Sequence, residues 1–216
     1  MTAFPTLDGF GPTRETLHLY AQAINTIARV HAQEQPHWWH TSLKVIDNGL
    51  TSDPLPLPSG ENLTLQMDFP RQQIALITGQ DLQESFSMTA GWSGTQMGNA
   101  LITADCRPGS AWDYERQRFA GDDPGIYDPD TAGRFFTALS SADRLFKRHQ
   151  ATLSGEAGPV QLWPHHFDLS AEWYSPKLMP YGKDLLPAQL NLGFYLGDGD
   201  TELLLLLQSW PFATIG

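Results

Sequence analysis

Hydrophobic residues recur at intervals of three and four in two long segments, residues 13 to 34 and residues 130 to 153. This spacing places the apolar side chains on one face of an amphipathic helix. Asp128 and Pro129 stand before the second segment as an N-cap and a first helical residue. A shorter segment, residues 93 to 105, has helical spacing despite its glycines. The pattern predicts two long amphipathic helices and one shorter helix.

Apolar and polar residues alternate from residue 62 to residue 69, as in a strand with one buried face. Residues 74 to 78 and 84 to 88 continue this strand as an antiparallel meander, and residues 190 to 196 pair with 203 to 210 as a hairpin. The three prolines of residues 175 to 187 predict an irregular segment there. The expected fold is therefore α+β, with a mainly antiparallel sheet or pair of sheets packed by the helices.

The length of 216 residues is compatible with a single domain, residues 1 to 216. Residues 1 to 12 are rich in glycine and proline and predict an N-terminal arm. Residues 106 to 128 are polar and contain a Gly-Asp-Asp-Pro-Gly run, which predicts a long excursion between the second and third helices.

Two segments concentrate histidine and tryptophan. The pattern of residues 159 to 173 predicts one strand, in which alternate side chains face opposite sides. One side would carry His165, Phe167, Leu169, Ala171 and Trp173, and the other His166, Asp168, Ser170 and Glu172. Residues 36 to 46 read as an extended segment with Trp38 and His40 on one side and His37 and Trp39 on the other. The sequence thus predicts two aromatic and polar clusters far apart along the chain.

Charge narrows the choice of partners. The formal net charge is -11, with 13 Lys plus Arg, so neither a nucleic acid nor an anionic membrane is an expected partner. The sequence contains no apolar run near the roughly 20 residues of a bilayer span. Its N-terminus lacks the basic and apolar regions of a signal peptide, so we expect a soluble, acidic, cytoplasmic protein. Cys106 is the single cysteine, which excludes an internal disulfide. The oligomeric state stays open.

Four motifs stand out along the chain: His37-Trp38-Trp39-His40, Tyr127-Asp128-Pro129, Ala142-Asp143-Arg144-Leu145-Phe146 and Phe167-Asp168-Leu169. Together they resemble one bacterial family, the domain of unknown function 5996. The resemblance covers roughly residues 13 to 173 in collinear order. The stretch Trp-Pro-His-His-Phe-Asp at residues 163 to 168 is a variant, because the commoner family pattern has small residues at the positions of His165 and His166. The resemblance implies no known activity.

Three hypotheses about function remain. The preferred one is a small-molecule-binding protein with an aromatic-walled polar pocket formed by His37, Trp38, Trp39, His40, Trp163, His165, His166, Asp168 and Glu172. The second is a metal-assisted hydrolase or oxygenase whose divalent metal would be held by His166, Asp168, Glu172 and His40. The third is a protein-interaction module without a pocket. Against all of these, the same residues could be the ordinary polar face and packed aromatics of a sheet. Both site hypotheses require the two clusters to meet in space.

Overall fold

A computed structural model describes residues 5, 7–105, 113–195 and 204–210 of the chain. The helices in this part are α1 (Phe10–His31), α2 (Gly94–Ala104) and α3 (Pro129–Gln150). Two 3₁₀ turns span Pro36–Thr41 and Arg116–Arg118. The strands are β1 (Lys44–Ile46), β2 (Gly49–Thr51), β3 (Leu55–Pro56), β4 (Asn62–Asp68), β5 (Gln73–Thr78), β6 (Asp81–Ser87), β7 (Glu156–Ala157), β8 (Gln161–Trp163), β9 (Asp168–Tyr181), β10 (Asp184–Tyr195) and β11 (Leu204–Trp210). Cys106 lies outside the described residues.

The three predicted helices are confirmed, with shifted ends. Helix α1 begins at Phe10, so part of the predicted arm is helical, and its N-cap Gly9 has a left-handed φ of 72°. Helix α3 has the predicted cap, because the Asp128 carboxylate accepts a hydrogen bond from the Thr131 amide at 2.7 Å. Helix α2 begins with a capping box, in which the Ser93 hydroxyl accepts from the Gln96 amide at 3.1 Å.

Every pair among the described strands is antiparallel, and these sheets pack with helices, which confirms the α+β prediction. The first sheet has the order β1-β2-β4-β5-β6, with β3 paired to β4, and contains the predicted meander. The second has the order β11-β10-β9-β7, with β8 paired to β9. The prediction that residues 175 to 187 are irregular is wrong. Strands β9 and β10 continue through this segment as a long hairpin that turns at Gly182, where φ is 59°.

An isolated bridge joins the two sheets. The Leu43 amide donates to the Leu162 carbonyl at 2.9 Å, and the Leu162 amide donates to the Leu43 carbonyl at 2.7 Å. Both leucines are fully buried in one hydrophobic cluster to which all three helices and both sheets contribute. The bridge lies between the Pro36–Thr41 turn and β1, and it uses the middle of β8. It therefore brings the two histidine and tryptophan segments to the same side of the molecule.

No described helix combines the length with the hydrophobicity that a bilayer span needs.

Candidate functional site

The predicted strand from residue 159 to residue 173 is interrupted by a turn at residues 164 to 167. Trp163 pairs with Asp168 across this turn, and the Phe167 amide donates to the Trp163 carbonyl at 2.8 Å. Phe167 has a left-handed φ of 57° and a fully buried ring. Pro164 has no amide hydrogen for a sheet ladder, which favours leaving the strand there. His165 and His166 therefore lie exposed in the turn, and their predicted alternation between two strand faces is wrong.

Strand β9 retains the predicted polar face beyond the turn. Glu172 is buried, and its Oε2 accepts hydrogen bonds from the Trp39 indole at 3.0 Å and from the Tyr174 hydroxyl at 2.9 Å. Burial, followed by the negative charge of Glu172, raises the pKa of Tyr174 above its ordinary value. The His37 ring stacks on Tyr174 with centroids 4.5 Å apart. Glu172 thus holds aromatic side chains of both segments in place.

The segment Pro36–Thr41 is a 3₁₀ turn, so the predicted extended alternation of its side chains is wrong. His37 and Trp38 have left-handed φ values of 54° and 63°. Pro36 begins the turn, and the two residues that follow it depart from right-handed helical geometry. His40 is buried, and its Nδ1 accepts a hydrogen bond from the Gln35 amide at 3.1 Å. Burial also lowers the pKa of His40, which is consistent with this acceptor role.

The two segments meet at an open cleft of about 430 Å³. Four of the predicted site residues line it: His37, Trp38, Trp163 and His165. The remaining lining residues are Asn25, Arg29, Thr41 and Arg118. Partial burial, followed by the positive charges of His166 and Arg118, lowers the pKa of His165, although much of this side chain is exposed. The imidazole is therefore neutral at pH 7 and offers one donor and one acceptor.

The other five predicted residues, Trp39, His40, His166, Asp168 and Glu172, are absent from the cleft lining. Trp39 and Glu172 bind each other behind the cleft. Asp168 is partly buried, and its Oδ1 has no hydrogen-bond partner among the described residues. Burial raises the pKa of Asp168 above its ordinary value.

In the part of the chain that the structure describes, no group of three or more His, Cys, Asp and Glu side chains is arranged to hold a metal ion. Glu172 is engaged by two hydrogen-bond donors, and the Nδ1 of His40 by one. His166 lies in the exposed turn. The predicted metal site of His40, His166, Asp168 and Glu172 therefore finds no support in this arrangement.

Comparison with known protein families matches residues 4–192 to one family. That family is described as a family of unknown function, DUF5996. The chain belongs to DUF5996. A search of curated proteins and a search of solved structures each gave no match. The resemblance seen in the sequence is thus confirmed at the level of the family, and all eight residues that line the cleft fall within the matched range.

Half of the cleft lining in this DUF5996 protein was absent from the sequence prediction. Asn25 and Arg29 are four residues apart on α1, so they share a helix face. This spacing is the sequence feature that places the two side chains together. The Asn25 amide nitrogen donates to the Thr41 carbonyl, which holds the Pro36–Thr41 turn against α1. No periodic pattern in the sequence predicts Arg118 as a cleft residue, because it lies in the excursion between helices α2 and α3.

A buried polar cluster adjoins the cleft in the DUF5996 fold. The His31 Nε2 lies 2.8 Å from the Tyr114 hydroxyl and 3.2 Å from the Asp105 carboxylate, and the side chains of His31 and Asp105 are almost fully buried. The Tyr114 hydroxyl also donates to Asp105 at 3.2 Å. The sequence analysis gave His31 no role. These contacts of His31 hold Tyr114 against the end of α1. Tyr114 is followed directly by Glu115 and, three residues later, by Arg118.

A second cleft, of about 550 Å³, lies between the start of α1 and residues 121 to 126. Its walls include Tyr20 and Trp92, and the Tyr20 hydroxyl donates to the Trp92 carbonyl at 2.8 Å. Burial raises the pKa of Tyr20 to about 12, so this hydroxyl stays protonated. The second cleft is larger, but its buried hydroxyl is already used within the fold. The lining of the second cleft also includes Glu15 and Asp123, whereas two imidazoles and two guanidinium groups line the first cleft of this DUF5996 protein.

Proposed function

We propose that the cleft between α1, the Pro36–Thr41 turn and the β8–β9 turn binds a small organic molecule. The observation that carries the proposal is the convergence of two indoles, Trp38 and Trp163, with the imidazoles of His37 and His165 around about 430 Å³. Pockets for small molecules have volumes of roughly 300 to 1,000 Å³ and combine aromatic walls with a few polar groups.

The backbone of the Pro36–Thr41 turn supports the same proposal. His37 and Trp38 are consecutive non-glycine residues in the left-handed region, and each such residue costs on the order of 1 to 3 kcal/mol unless its surroundings stabilise it. Trp38 nevertheless remains 56% exposed, so its own burial does not offset that cost. A bound molecule that covers the indole would use the exposed surface.

A thermal-shift screen with a library of aromatic and polar metabolites tests the proposal. A compound that binds the folded state raises the melting temperature according to its concentration and dissociation constant. We expect at least one compound to raise it in the wild type and the rise to be lost in Trp38→Ala. Leu185→Ala is the control, since Leu185 is similarly exposed on the β9–β10 hairpin and does not line the cleft. A rise that survives in Trp38→Ala would place binding elsewhere, and no rise with any compound would contradict the proposal.

A further inference from the structure

Two guanidinium groups line the cleft, and they come from different elements. Arg29 lies near the end of α1, and Arg118 lies in the Arg116–Arg118 turn. Their side chains are 26% and 29% exposed, so both are partly accessible to solvent. The cleft is thus rich in cations on a chain whose formal net charge is -11.

One carboxylate fixes both arginines. The Oε2 of Glu115 accepts a hydrogen bond from Arg29 Nε at 2.8 Å and another from Arg118 Nε. The hydrogen bond from Arg118 is the main cause that lowers the pKa of Glu115, so the carboxylate is ionised at neutral pH. Two positive charges therefore face one negative charge, and the trio retains a net positive charge.

The terminal nitrogens of both arginines remain available. Among the residues that the structure describes, neither Arg29 nor Arg118 uses an Nη nitrogen in a hydrogen bond; each binds Glu115 through Nε. A guanidinium presents its donors as a planar fork that matches the oxygens of a carboxylate or phosphate. Glu115 thereby holds the forks in place without occupying their outer donors.

An indole ring lies next to one of these guanidinium groups. The Arg29 guanidinium carbon lies 5.0 Å from the centre of the Trp38 ring, within the range of a cation–π contact. Trp163 and His37 line the same cleft. A ligand that suits both features has an oxyanion for the arginines and a flat apolar part for the indoles.

We infer that the cleft selects an aromatic or otherwise flat organic anion, whose carboxylate or phosphate binds the Nη groups of Arg29 and Arg118. This inference rests on the proposed small-molecule function and names the class of ligand. Lysine would supply the same charge without the planar fork, so the two arginines give directional recognition as well as attraction.

Three compounds with the same ring test the inference: 1-naphthoate, 1-naphthyl phosphate and the neutral 1-naphthamide. We expect titration calorimetry to show at least one anion binding about tenfold or more tightly than the amide, since hydrogen bonds between charged partners are stronger than neutral ones. The anion that binds more tightly identifies carboxylate or phosphate as the preferred group. Added salt should weaken only the anions, because both arginines are partly exposed to solvent.

Variants identify the binding groups. Arg118→Gln and Arg29→Gln should each weaken binding of the anions about tenfold or more. Arg118→Gln should leave binding of 1-naphthamide unchanged, and Arg118→Lys should retain part of the affinity for the anions. Arg144→Gln is the matched control, since Arg144 is an exposed arginine of α3 that bonds only to Ser141 among the described residues. Circular dichroism confirms that each variant is folded.

The possible failures are distinguishable. If 1-naphthamide binds as tightly as the anions and Trp38→Ala abolishes both, the anion inference is wrong and the small-molecule function stands. Anion affinity that survives in both glutamine variants would likewise overturn the inference. If none of the three compounds binds and the metabolite library is silent as well, both proposals fail.

Discussion

Asp168 closes the turn between β8 and β9 with a carboxyl group that the fold leaves incompletely satisfied. Its Oδ1 is buried and has no hydrogen-bond partner among the described residues. Burial raises its pKa, while the nearby charges of His166 and Arg14 act in the opposite direction without reversing the shift. The folded protein therefore holds a proton at Asp168 more tightly than the unfolded chain does, which is a cost at neutral pH.

Asp168→Asn should remove this cost and its dependence on pH. Between the ordinary aspartate pKa, about 4, and the raised pKa of the folded state, the folded protein binds more protons, so the Asp168 contribution to stability falls as pH rises. Above the raised pKa the full cost is present. We expect urea unfolding from pH 4 to pH 7 to show the asparagine variant gaining stability relative to the wild type, with a plateau at high pH.

Asp184→Asn, at an exposed position of β10, is the control for this measurement. Its stability relative to the wild type should lack the rise seen for Asp168→Asn. A difference between wild type and Asp168→Asn that stays constant over the whole pH range would contradict the assigned effect of burial.

At the scale of elements, helices α2 and α3 contain glycines for different reasons. A Cβ added at Gly98 of α2 would lie 2.3 Å from the ring of Phe119, which is fully buried. The missing side chain at Gly98 lets the excursion pack on the helix. A Cβ at Gly133 of α3 would meet no atom within 4 Å. Gly133 therefore lowers helix stability without a packing role in the described structure.

The same substitution should have opposite effects at these two positions. Gly133→Ala should stabilise the protein by roughly 0.5 to 1 kcal/mol, because alanine loses less backbone entropy in a helix. Gly98→Ala has the same propensity gain, but the displaced Phe119 ring costs about 1 to 3 kcal/mol, so the net effect is destabilising. Urea denaturation measures both. Equal changes in the two variants would show that Phe119 does not pack against α2.

The same elements show which features the sequence could predict. Helix α3 and strand β4 follow from apolar spacing, because each buries one face. Strand β6 belongs to the predicted meander, although nearly all of its residues are exposed. Pro164 signals the turn at residues 164 to 167, but the alternation of residues 165 to 173 resembles a continuous strand, and a buried phenylalanine with a φ of 57° is not a typical turn residue. The β9–β10 hairpin was missed because prolines normally interrupt strands. Half of the cleft lining was found, but Arg118 depends on tertiary packing that no local pattern encodes.

At the scale of the whole molecule, the cleft exists only where distant parts of the chain are joined. Its lining comes from residues 25 to 41, from Arg118 and from residues 163 to 165. The bridge between Leu43 and Leu162 aligns the first and last of these regions. Behind it, the buried Ser42 hydroxyl contacts the Gln161 side-chain carbonyl. The geometry of the cleft is thus a property of the junction between the two sheets.

This junction predicts that the two sheets unfold together. Leu43 and Leu162 are fully buried in one cluster that contains residues of both sheets, so separating the sheets would expose their core side chains to water. Hydrogen exchange measured by mass spectrometry in increasing urea should give the same free energy of opening for peptides from residues 62–78 and 168–174. Partial openings with lower free energy are expected at the exposed end of the β9–β10 hairpin, near Gly182, and serve as an internal reference. If the core of one sheet exchanged at clearly lower urea than the other, the sheets would be separate cooperative units. The cleft would then be a flexible interface, because a junction that opens before its sheets cannot hold Trp38 and Trp163 in fixed positions.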